Sequence, residues 1–184
     1  MTFSTKYKIL NNQVYEFNKY KIMPIRYKDR YKIMDWRNDQ LYHLRQSEKL
    51  TISKQDSYFK EILLPQKNND QPEQILFSFF YKSKFVGYGG LVHIDWVDKS
   101  AEVSFVMDTT LEKFFFSEFW SAFLNLLEMV IKDISYLNKI YTYAFDLRPK
   151  IYKVLENKGF SFEKSETYLK NDQTINVKIH KKVF

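Results

Sequence analysis

Three apolar runs that follow one another between residues 75 and 107 constrain the fold of this chain more than any other feature. They read "ILFSFFY", "FVGYGGLVHIDW" and "AEVSFVM", and the short segments "KSK" and "VDKS" separate them. Strands joined by such short connections pair antiparallel, because a parallel pair needs a crossover of a dozen or more residues. The runs therefore predict a three-stranded antiparallel meander.

The apolar spacing changes after the meander. Apolar residues three and four positions apart predict a helix that Ser117 caps, and they are Phe119, Trp120, Phe123, Leu124, Leu127, Val130 and Ile131. A further strand, "KIYTYAF", precedes a helix that Pro149 opens and that Gly159 ends in a left-handed conformation. The segments "FSFEKSETYL" and "TINVKIH" flank "KNDQ" and predict a final hairpin.

The residues before the meander predict a hairpin and two helices. The hairpin pairs "KYKILNNQVYEF" with "YKIMPIRY" through Asn11 and Asn12. The first helix covers "YKDRYKIMDWRND", and the second begins at Ser53 and ends before Pro65. This order of elements predicts a mixed α+β fold, formed by a single domain over residues 1–184.

Composition excludes several classes of function. The net charge of +7 arises from 29 Lys and Arg against 22 Asp and Glu, and the charges are scattered along the chain, so we expect no nucleic-acid partner. The absence of cysteine excludes disulfides and thiolate chemistry, and three histidines give a metal site little support. The first residues lack the apolar core of a signal peptide, and polar residues interrupt the run 114–134. We therefore expect a cytoplasmic protein without a membrane span.

The order of elements and three segments together resemble the GNAT superfamily of acyl-CoA-dependent N-acyltransferases. The segments are "WRND" at 36–39, the second and third meander runs at 85–107, and "IYKVLENKGFSFE" at 151–163. The "WRN" start and the passage from aspartate through a turn to Ala-Glu are most similar to the branch with ribosomal-protein N-terminal and amino-sugar-nucleotide acetyltransferases. The resemblance implies a mixed, mostly antiparallel sheet of six to seven strands, with helices on both faces and splayed central strands.

The resemblance also implies an activity. Acetyl-CoA would bind between the two splayed strands and donate its acetyl group to a primary amine. The leading acceptor is a small nucleotide-linked amino sugar, and a protein N-terminus is the runner-up. A different class of protein stays open: a GNAT-fold binding or assembly subunit without catalysis.

Three residues are candidates for the proton transfers. Glu102 is the first candidate base, and its alternative is a carboxylate that faces solvent or pairs with a basic neighbour. His93 is the second, because an imidazole titrates near neutral pH, although a strand histidine is more often a half-buried hydrogen-bonding residue. Tyr152 is the candidate donor to the leaving thiolate, since Leu155 stands where the family commonly has a tyrosine. It is equally well explained as a packed aromatic.

Other residues are expected to contact the cosubstrate and the acceptor. The strand residues Phe105, Val106 and Met107 would face the pantetheine arm. The following segment, "DTTLEKFFFSEFW", stands where the family has a glycine-rich phosphate loop but contains no glycine, so side chains would have to replace backbone donors. The candidates for that replacement are Thr109, Thr110, Lys113, Ser117 and Arg148.

The acceptor is expected to contact Arg37, Asn38 and Asp95, and the alternative for Arg37 is a surface salt bridge. The aromatic residues 114–116 admit three explanations: they form part of the core, they line a homodimer contact, or they touch an acyl chain or adenine.

Overall fold

A computed structural model describes residues 3–184 of the chain. Its centre is one eight-stranded sheet with the order β1-β2-β3-β4-β5-β6-β8-β7. The strands are β1 (Tyr15–Phe17), β2 (Tyr20–Pro24), β3 (Ile75–Tyr81), β4 (Lys84–Asp95), β5 (Ser100–Met107), β6 (Lys139–Phe145), β7 (Ser161–Lys170) and β8 (Gln173–Val183). The predicted α+β class is confirmed, with eight strands in the described residues rather than six to seven.

Within residues 3–184, five α-helices cover the two faces of the sheet. They are α1 (Arg30–Asp39), α2 (Ile52–Ser57), α3 (Leu64–Lys67), α4 (Thr109–Ile134) and α5 (Lys150–Asn157), and a π-helical segment (Tyr58–Leu63) joins α2 to α3. On one face, α4 and α5 pack on a core that includes Phe79, Phe123 and Leu127. On the other face, α1 and the π-helical segment contribute Trp36 and Phe59 to a second core. The predicted two-sided arrangement is therefore confirmed.

The two central strands β5 and β6 separate along their length. They pair in parallel through Ser100 with Lys139, Ala101 with Ile140 and Glu102 with Tyr141. Beyond Glu102, β6 continues its antiparallel pairing with β8, while β5 stays paired with β4. The splay expected of the central strands is confirmed, and it leaves the edge of β5 open from Val103 onward.

Glycine is required at two positions for different structural reasons. A Cβ on Gly89 would lie 2.1 Å from the carbonyl oxygen of Ser104, so only glycine lets β4 approach β5 this closely. Gly159 has a φ of +78°, which L side chains rarely adopt, and it ends α5 as predicted. A Cβ there would meet nothing closer than 3.7 Å.

Two predictions on the N-terminal half are wrong. The first hairpin turns at Asn18 and Lys19, because Asn11 and Asn12 instead bind Asp133 of α4. The second helix begins after Thr51, whose side chain accepts from the Lys54 amide, and the helical path does not stop before Pro65. Pro65 lies in the first turn of α3, where a backbone N–H is not required.

The prediction of a loop between β5 and the next helix is also wrong. Asp108 caps α4, its side chain accepting from the Thr110 amide, and the helix starts at Thr109 rather than near Ser117. The segment that was expected to replace a glycine-rich loop is therefore helical. Its phenylalanines have different fates, since Phe114 is exposed and Phe115 and Phe116 pack against the core.

Helix α4 is long and apolar enough to span a membrane by length and composition. Half of its most apolar window is nevertheless buried inside the protein, and nine of its residues belong to the buried set. This helix therefore packs as the central core helix of the domain.

Candidate active site

The splay between β5 and β6 forms a cleft, which we call the splay cleft. It encloses about 110 Å³. On β6, Thr142 and Ala144 alternate with Tyr143 and Phe145, and all four line the same space. Because successive strand residues face opposite sides of a sheet, the cleft passes through the sheet from the α4 side to the α1 side.

Glu102 lies at the closed end of the splay cleft, where the last pair of β5 and β6 residues meets. Its side chain is 6% exposed and pairs with the guanidinium of Arg45. Its second oxygen, Oε2, is 2.9 Å from Nδ1 of His93. A buried carboxylate with two polar partners thus stands beside the space where the strands part.

His93 reaches this carboxylate because β4 bulges. The register between β4 and β5 shifts between Val92 and Asp95, and His93 has a φ of +48°. A bulge turns a side chain away from its regular direction. The imidazole is 62% exposed and lines a second depression of about 410 Å³ on the solvent side of Glu102. The Glu102–His93 pair therefore connects the cleft to solvent.

The segment between α1 and α2, residues 40–50, covers the cleft on the α1 side. The side-chain Nε2 of Gln40 donates to the backbone carbonyl oxygen of Met107 at 2.8 Å. The side-chain oxygen Oε1 of Gln40 is 3.1 Å from Nε2 of His43. Lys170 of the last hairpin donates to the carbonyl oxygens of Leu41 and Leu44. These contacts tie the first part of the segment to β5 and to β7.

The electrostatic environment keeps His43 neutral. Burial, and after it the positive charge of Arg148, lowers the pKa of His43 to about 3. His43 lines the cleft, so near neutral pH this position supplies an uncharged imidazole. A base that titrates near neutral pH has to be found elsewhere.

A larger cavity of about 540 Å³ opens between the first turns of α4 and the start of α5. It carries Lys113, Arg148 and Lys150, and it shares Phe116 and Arg148 with the splay cleft. We call it the basic cavity. The basic cavity, with its cluster of cations, therefore adjoins the cleft that holds the buried Glu102.

The first turn of α4 offers few free amides to an anion. The amide of Thr110 donates to the side chain of Asp108. The amides of Leu111 and Glu112 donate to the backbone carbonyl oxygen of Asp108 at 3.0 and 3.1 Å. The carboxylates of Asp108 and Glu112 also stand at this helix end, and Glu112 pairs with Arg148 at 2.7 Å. An anion in the basic cavity would therefore be held by side-chain cations rather than by the helix terminus.

The structure brings together part of the predicted cosubstrate set. Phe105 lines the splay cleft, Arg148 lines both spaces, and Thr109, Lys113 and Ser117 line the basic cavity. Val106 and Met107 do not line either space, because each is buried in one of the two cores. The hydroxyl of Thr110 donates to Asp108 as part of the helix cap.

Tyr152 is not brought to the cleft. Its hydroxyl donates to Asp146 at 2.7 Å, and its ring stacks on His180 at 5.1 Å. Burial and this bond to a carboxylate raise the pKa of Tyr152. As a proton donor it would first have to leave Asp146.

The predicted acceptor contacts are engaged in structural bonds. Arg37 donates to the hydroxyl of Tyr88 at 2.7 Å and to Gln46, so it is not a surface salt bridge. Asn38 bonds both the amide and the carbonyl oxygen of Leu50 and so fixes the far end of the covering segment. Asp95 accepts from two amides of the turn after β4 and lies at the rim of the depression around His93.

Sequence reasoning missed the side chains that shape the cleft, namely Gln40, His43, Arg45, Trp120, Thr142 and Tyr143. One of them carried a readable signal. Thr142 is a polar residue at an inward position of the strand "KIYTYAF", where the alternation calls for an apolar side chain. Trp120 carried none, because its spacing is that of a core helix.

Solved structures of acetyltransferases share this fold. The spermidine N-acetyltransferase from Vibrio cholerae, in complex with CoA and spermine, matches with a TM-score of 0.74 and 15% identity over 91% of this chain and 96% of that chain. An acetyltransferase from Salmonella typhimurium that modifies the N-terminal serine of ribosomal protein L7/L12 matches with a TM-score of 0.74 and 10% identity over 91% and 96%.

A third structure, the microcin C7 self-immunity acetyltransferase MccE in complex with acetyl-CoA and AMP, matches with a TM-score of 0.73 and 14% identity over 98% of this chain and 97% of that chain. Comparison with curated protein sequences found no match. At such identities the structural matches establish the fold, and the first two proteins act on a polyamine and on a protein N-terminus, so the amino-sugar branch is not singled out.

The model of one protein family matches the sequence itself. It is described as the acetyltransferase (GNAT) domain, and it covers residues 22–176. This span includes the splayed strands, the cleft and both helices around the basic cavity. The expectation of an acyl-CoA-dependent N-acetyltransferase is thereby confirmed at the level of the family, and the chain belongs to the GNAT acetyltransferases.

Proposed function

We propose that this protein transfers the acetyl group of acetyl-CoA to a primary amine inside the splay cleft, with Glu102 as the base. One observation carries the proposal. The basic cavity with its cations adjoins the splay cleft at Phe116 and Arg148, and the cleft follows the open edge of β5 to a buried carboxylate at its closed end. That order matches a ligand with phosphates at one end and a reactive thioester at the other.

The residues present fit acetyl-CoA. Lys113, Arg148 and Lys150 provide positive charge for phosphate groups. The edge of β5 from Val103 to Phe105 lacks a neighbouring strand at the splay, so its main-chain groups can bind an extended arm as a sheet edge binds a strand. When bound, the cosubstrate supplies an acyl group activated as a thioester.

Glu102 and His93 would then handle the proton of the amine. An amine attacks only as the neutral base, so a group in the cleft has to accept its proton. Glu102 lines the cleft and pairs through Oε1 with Arg45. Its Oε2 contacts Nδ1 of His93, and the His93 side chain is 62% exposed. A proton taken up by Glu102 can therefore pass through the imidazole to solvent.

The proposed acceptor is a small amino sugar, in the first place one linked to a nucleotide, with a protein N-terminus as the runner-up. The face of the sheet beside the cleft supports the sugar, since Tyr141, Tyr143 and Tyr168 cluster there and stay partly exposed. Aromatic rings of this kind stack on sugars and bases. Arg45 is partly exposed at the same mouth, and a cation there suits phosphates better than a polyamine.

We place the activity in the cytoplasm, with a small-molecule amine as the partner and a homodimer as the assembly to test. Exposed Phe162 and Leu169 lie on β7, the edge strand of the sheet, where a second copy could pack. The alternative function is a GNAT-fold binding subunit without catalysis. The self-capped start of α4 supports it, because the helix amides that would hold a diphosphate are already bonded.

The proposal is tested by incubating the protein with acetyl-CoA and three classes of amine: nucleotide-linked amino sugars, spermidine and a peptide with a free N-terminus. Release of the CoA thiol and the mass of the product report transfer. Acetylation of the amino sugar supports the proposal, and faster acetylation of the peptide supports the runner-up. If no amine is acetylated although acetyl-CoA raises the thermal stability, the binding subunit is favoured; a ligand at 100 times its Kd adds about 2.7 kcal/mol.

A further inference from the structure

We propose that Trp120 and Thr142 are hydrogen-bond donors to the pantetheine arm, an inference that rests on the proposed function and assigns two contacts within it. Both residues line the splay cleft, and each is 3% exposed. Neither Nε1 of Trp120 nor Oγ1 of Thr142 has a hydrogen-bond partner anywhere in residues 3–184.

Two unpaired donors in one cavity require an explanation. The large majority of buried side-chain polar atoms in native proteins have a hydrogen-bond partner, because an unpaired one loses its bonds to water without replacement. A third unpaired atom, Nδ1 of His180, does not line this cavity. Two of the three such atoms in the described chain thus belong to residues that line the splay cleft, which points to a partner that enters the cleft.

Thr142 stands at the closed end of the cleft. It follows Tyr141, the last β6 residue that pairs with β5, and it is therefore the first residue past the point where the strands part. A ligand whose phosphates lie in the basic cavity reaches this point with its far end. The hydroxyl of Thr142 consequently meets the sulfur end of the arm.

Trp120, on helix α4, stands further out along the cleft. Its indole stacks on Phe105 with ring centroids 5.3 Å apart, and Phe105 lies three residues beyond Glu102 on β5. At ~3.3 Å per strand residue, the indole is roughly 10 Å from the closed end. The indole N–H can only donate, so its partner is an oxygen such as an amide carbonyl of the arm.

The two donors therefore describe a narrow, extended ligand with a carbonyl partway along it and a hydrogen-bond acceptor at its tip. Pantetheine has this chemistry, since its amide carbonyls lie along the chain and its sulfur lies at the end. In the free protein both donor atoms are buried and unpaired, so an arm that brings acceptors to them supplies hydrogen bonds that the free protein lacks.

The test uses the full chain and measures binding rather than turnover. Calorimetric titrations with CoA and with desulfo-CoA compare the wild type with Trp120→Phe, Thr142→Val and Thr142→Ser. Phe keeps an aromatic ring without the N–H, and Val keeps the shape of Thr without the hydroxyl. Thermal unfolding of each variant checks that it is folded, and Trp96→Phe is the control, because Nε1 of Trp96 already donates to Pro72 outside the cleft.

A second readout follows the indole N–H signals of the three tryptophans by NMR. We expect CoA to shift the Trp120 signal while the Trp96 signal stays in place. Trp120→Phe and Thr142→Val should each weaken CoA binding on the order of fivefold, the size of one net hydrogen bond. Thr142→Val should leave the binding of desulfo-CoA unchanged, and Thr142→Ser should bind CoA nearly as the wild type does.

The inference is overturned if the wild type binds CoA and both variants bind it equally well with the Trp120 signal unmoved. In that case the proposed function stands, because CoA still binds. A wild type that binds no CoA overturns the inference and the proposed function together.

Discussion

His93 and Glu102 meet across two neighbouring strands, with Nδ1 of the imidazole 2.9 Å from Oε2 of the carboxylate. The contact depends on the bulge in β4, since a regular strand would not give His93 its left-handed backbone conformation. One member is buried in the splay cleft and the other faces solvent. This division of positions is what a path for a proton out of a closed site requires.

Replacement of Glu102 by Gln tests the base directly. The amide has nearly the same shape but cannot take up a proton, so we expect kcat to fall by about 100-fold or more, the usual contribution of a general base. CoA binding should change little, because Glu102 lies at the acceptor end of the path. Steady-state rates and calorimetry with CoA measure the two quantities; a variant with near wild-type kcat would remove Glu102 from the mechanism.

Arg148 and Glu112 should affect CoA binding in opposite directions. Arg148→Met removes a cation shared by both cavities, and we expect about tenfold weaker binding. Glu112→Gln frees Arg148 from its 2.7 Å ion pair and should tighten binding about two- to threefold. Lys153→Met, an exposed position on the same helix α5, is the control. If Glu112→Gln weakens binding as much as Arg148→Met does, Arg148 does not contact the phosphates.

Lys67 should make stability rise with pH. It is fully buried, it donates to the carbonyl oxygen of Ile25, and burial lowers its pKa to about 7 from an ordinary 10.5. Between these values the unfolded chain holds a proton that the folded chain has released, so the free energy of unfolding increases with pH, by up to ~1.4 kcal/mol per unit. Below pH 7 both states are protonated and Lys67 adds no slope.

Lys67→Met removes the pH dependence of stability that Lys67 causes, and denaturant unfolding at several pH values measures the change. The wild type should gain stability relative to the variant from about pH 7 to the ordinary lysine range. Lys60→Met, an exposed position in the same helical region, should show no such difference. A stability difference between the wild type and Lys67→Met that stays constant over this window would show that Lys67 remains charged in the folded protein.

His43 should make the folded protein less stable in acid. Its pKa in the folded protein, about 3, lies below the ordinary 6.5, so between these values only the unfolded chain binds the proton. The free energy of unfolding therefore falls as the pH falls through this window, by up to ~1.4 kcal/mol per unit. His43→Gln should show a shallower loss in acid unfolding followed by circular dichroism, and an unchanged slope would place the imidazole in contact with solvent.

The two structural glycines should differ in cost. Gly89→Ala forces a Cβ to within 2.1 Å of a β5 carbonyl oxygen, so the strands beside the cleft must shift, and we expect a loss of about 3 kcal/mol or more. Gly159→Ala brings a Cβ only into ordinary van der Waals contact with Lys182 at 3.7 Å, so we expect the cost of the left-handed backbone alone, about 1 kcal/mol. Chemical denaturation distinguishes them, and equal losses would contradict the close approach of β4 to β5.

The sequence predicted the meander, the central helix and the final hairpin, because strand alternation and helical spacing are local patterns in those segments. It placed the start of α4 incorrectly, since Asp108 competes with Ser117 as a cap and apolar residues 114–116 fit either a loop or a helix. Glu102 could be chosen as a candidate base from its position in the strand pattern. Its partner Arg45 could not, because that contact joins residues 57 positions apart through a covering segment with no regular pattern.

The most direct test of this account is a crystal structure of the protein with CoA. We expect the pantetheine arm to lie between β5 and β6 against Val103, Ser104 and Phe105, with the phosphates beside Arg148 and Lys113 and the sulfur near Glu102. CoA bound elsewhere on the molecule, with β5 and β6 unchanged and the cleft empty, would contradict the central claim.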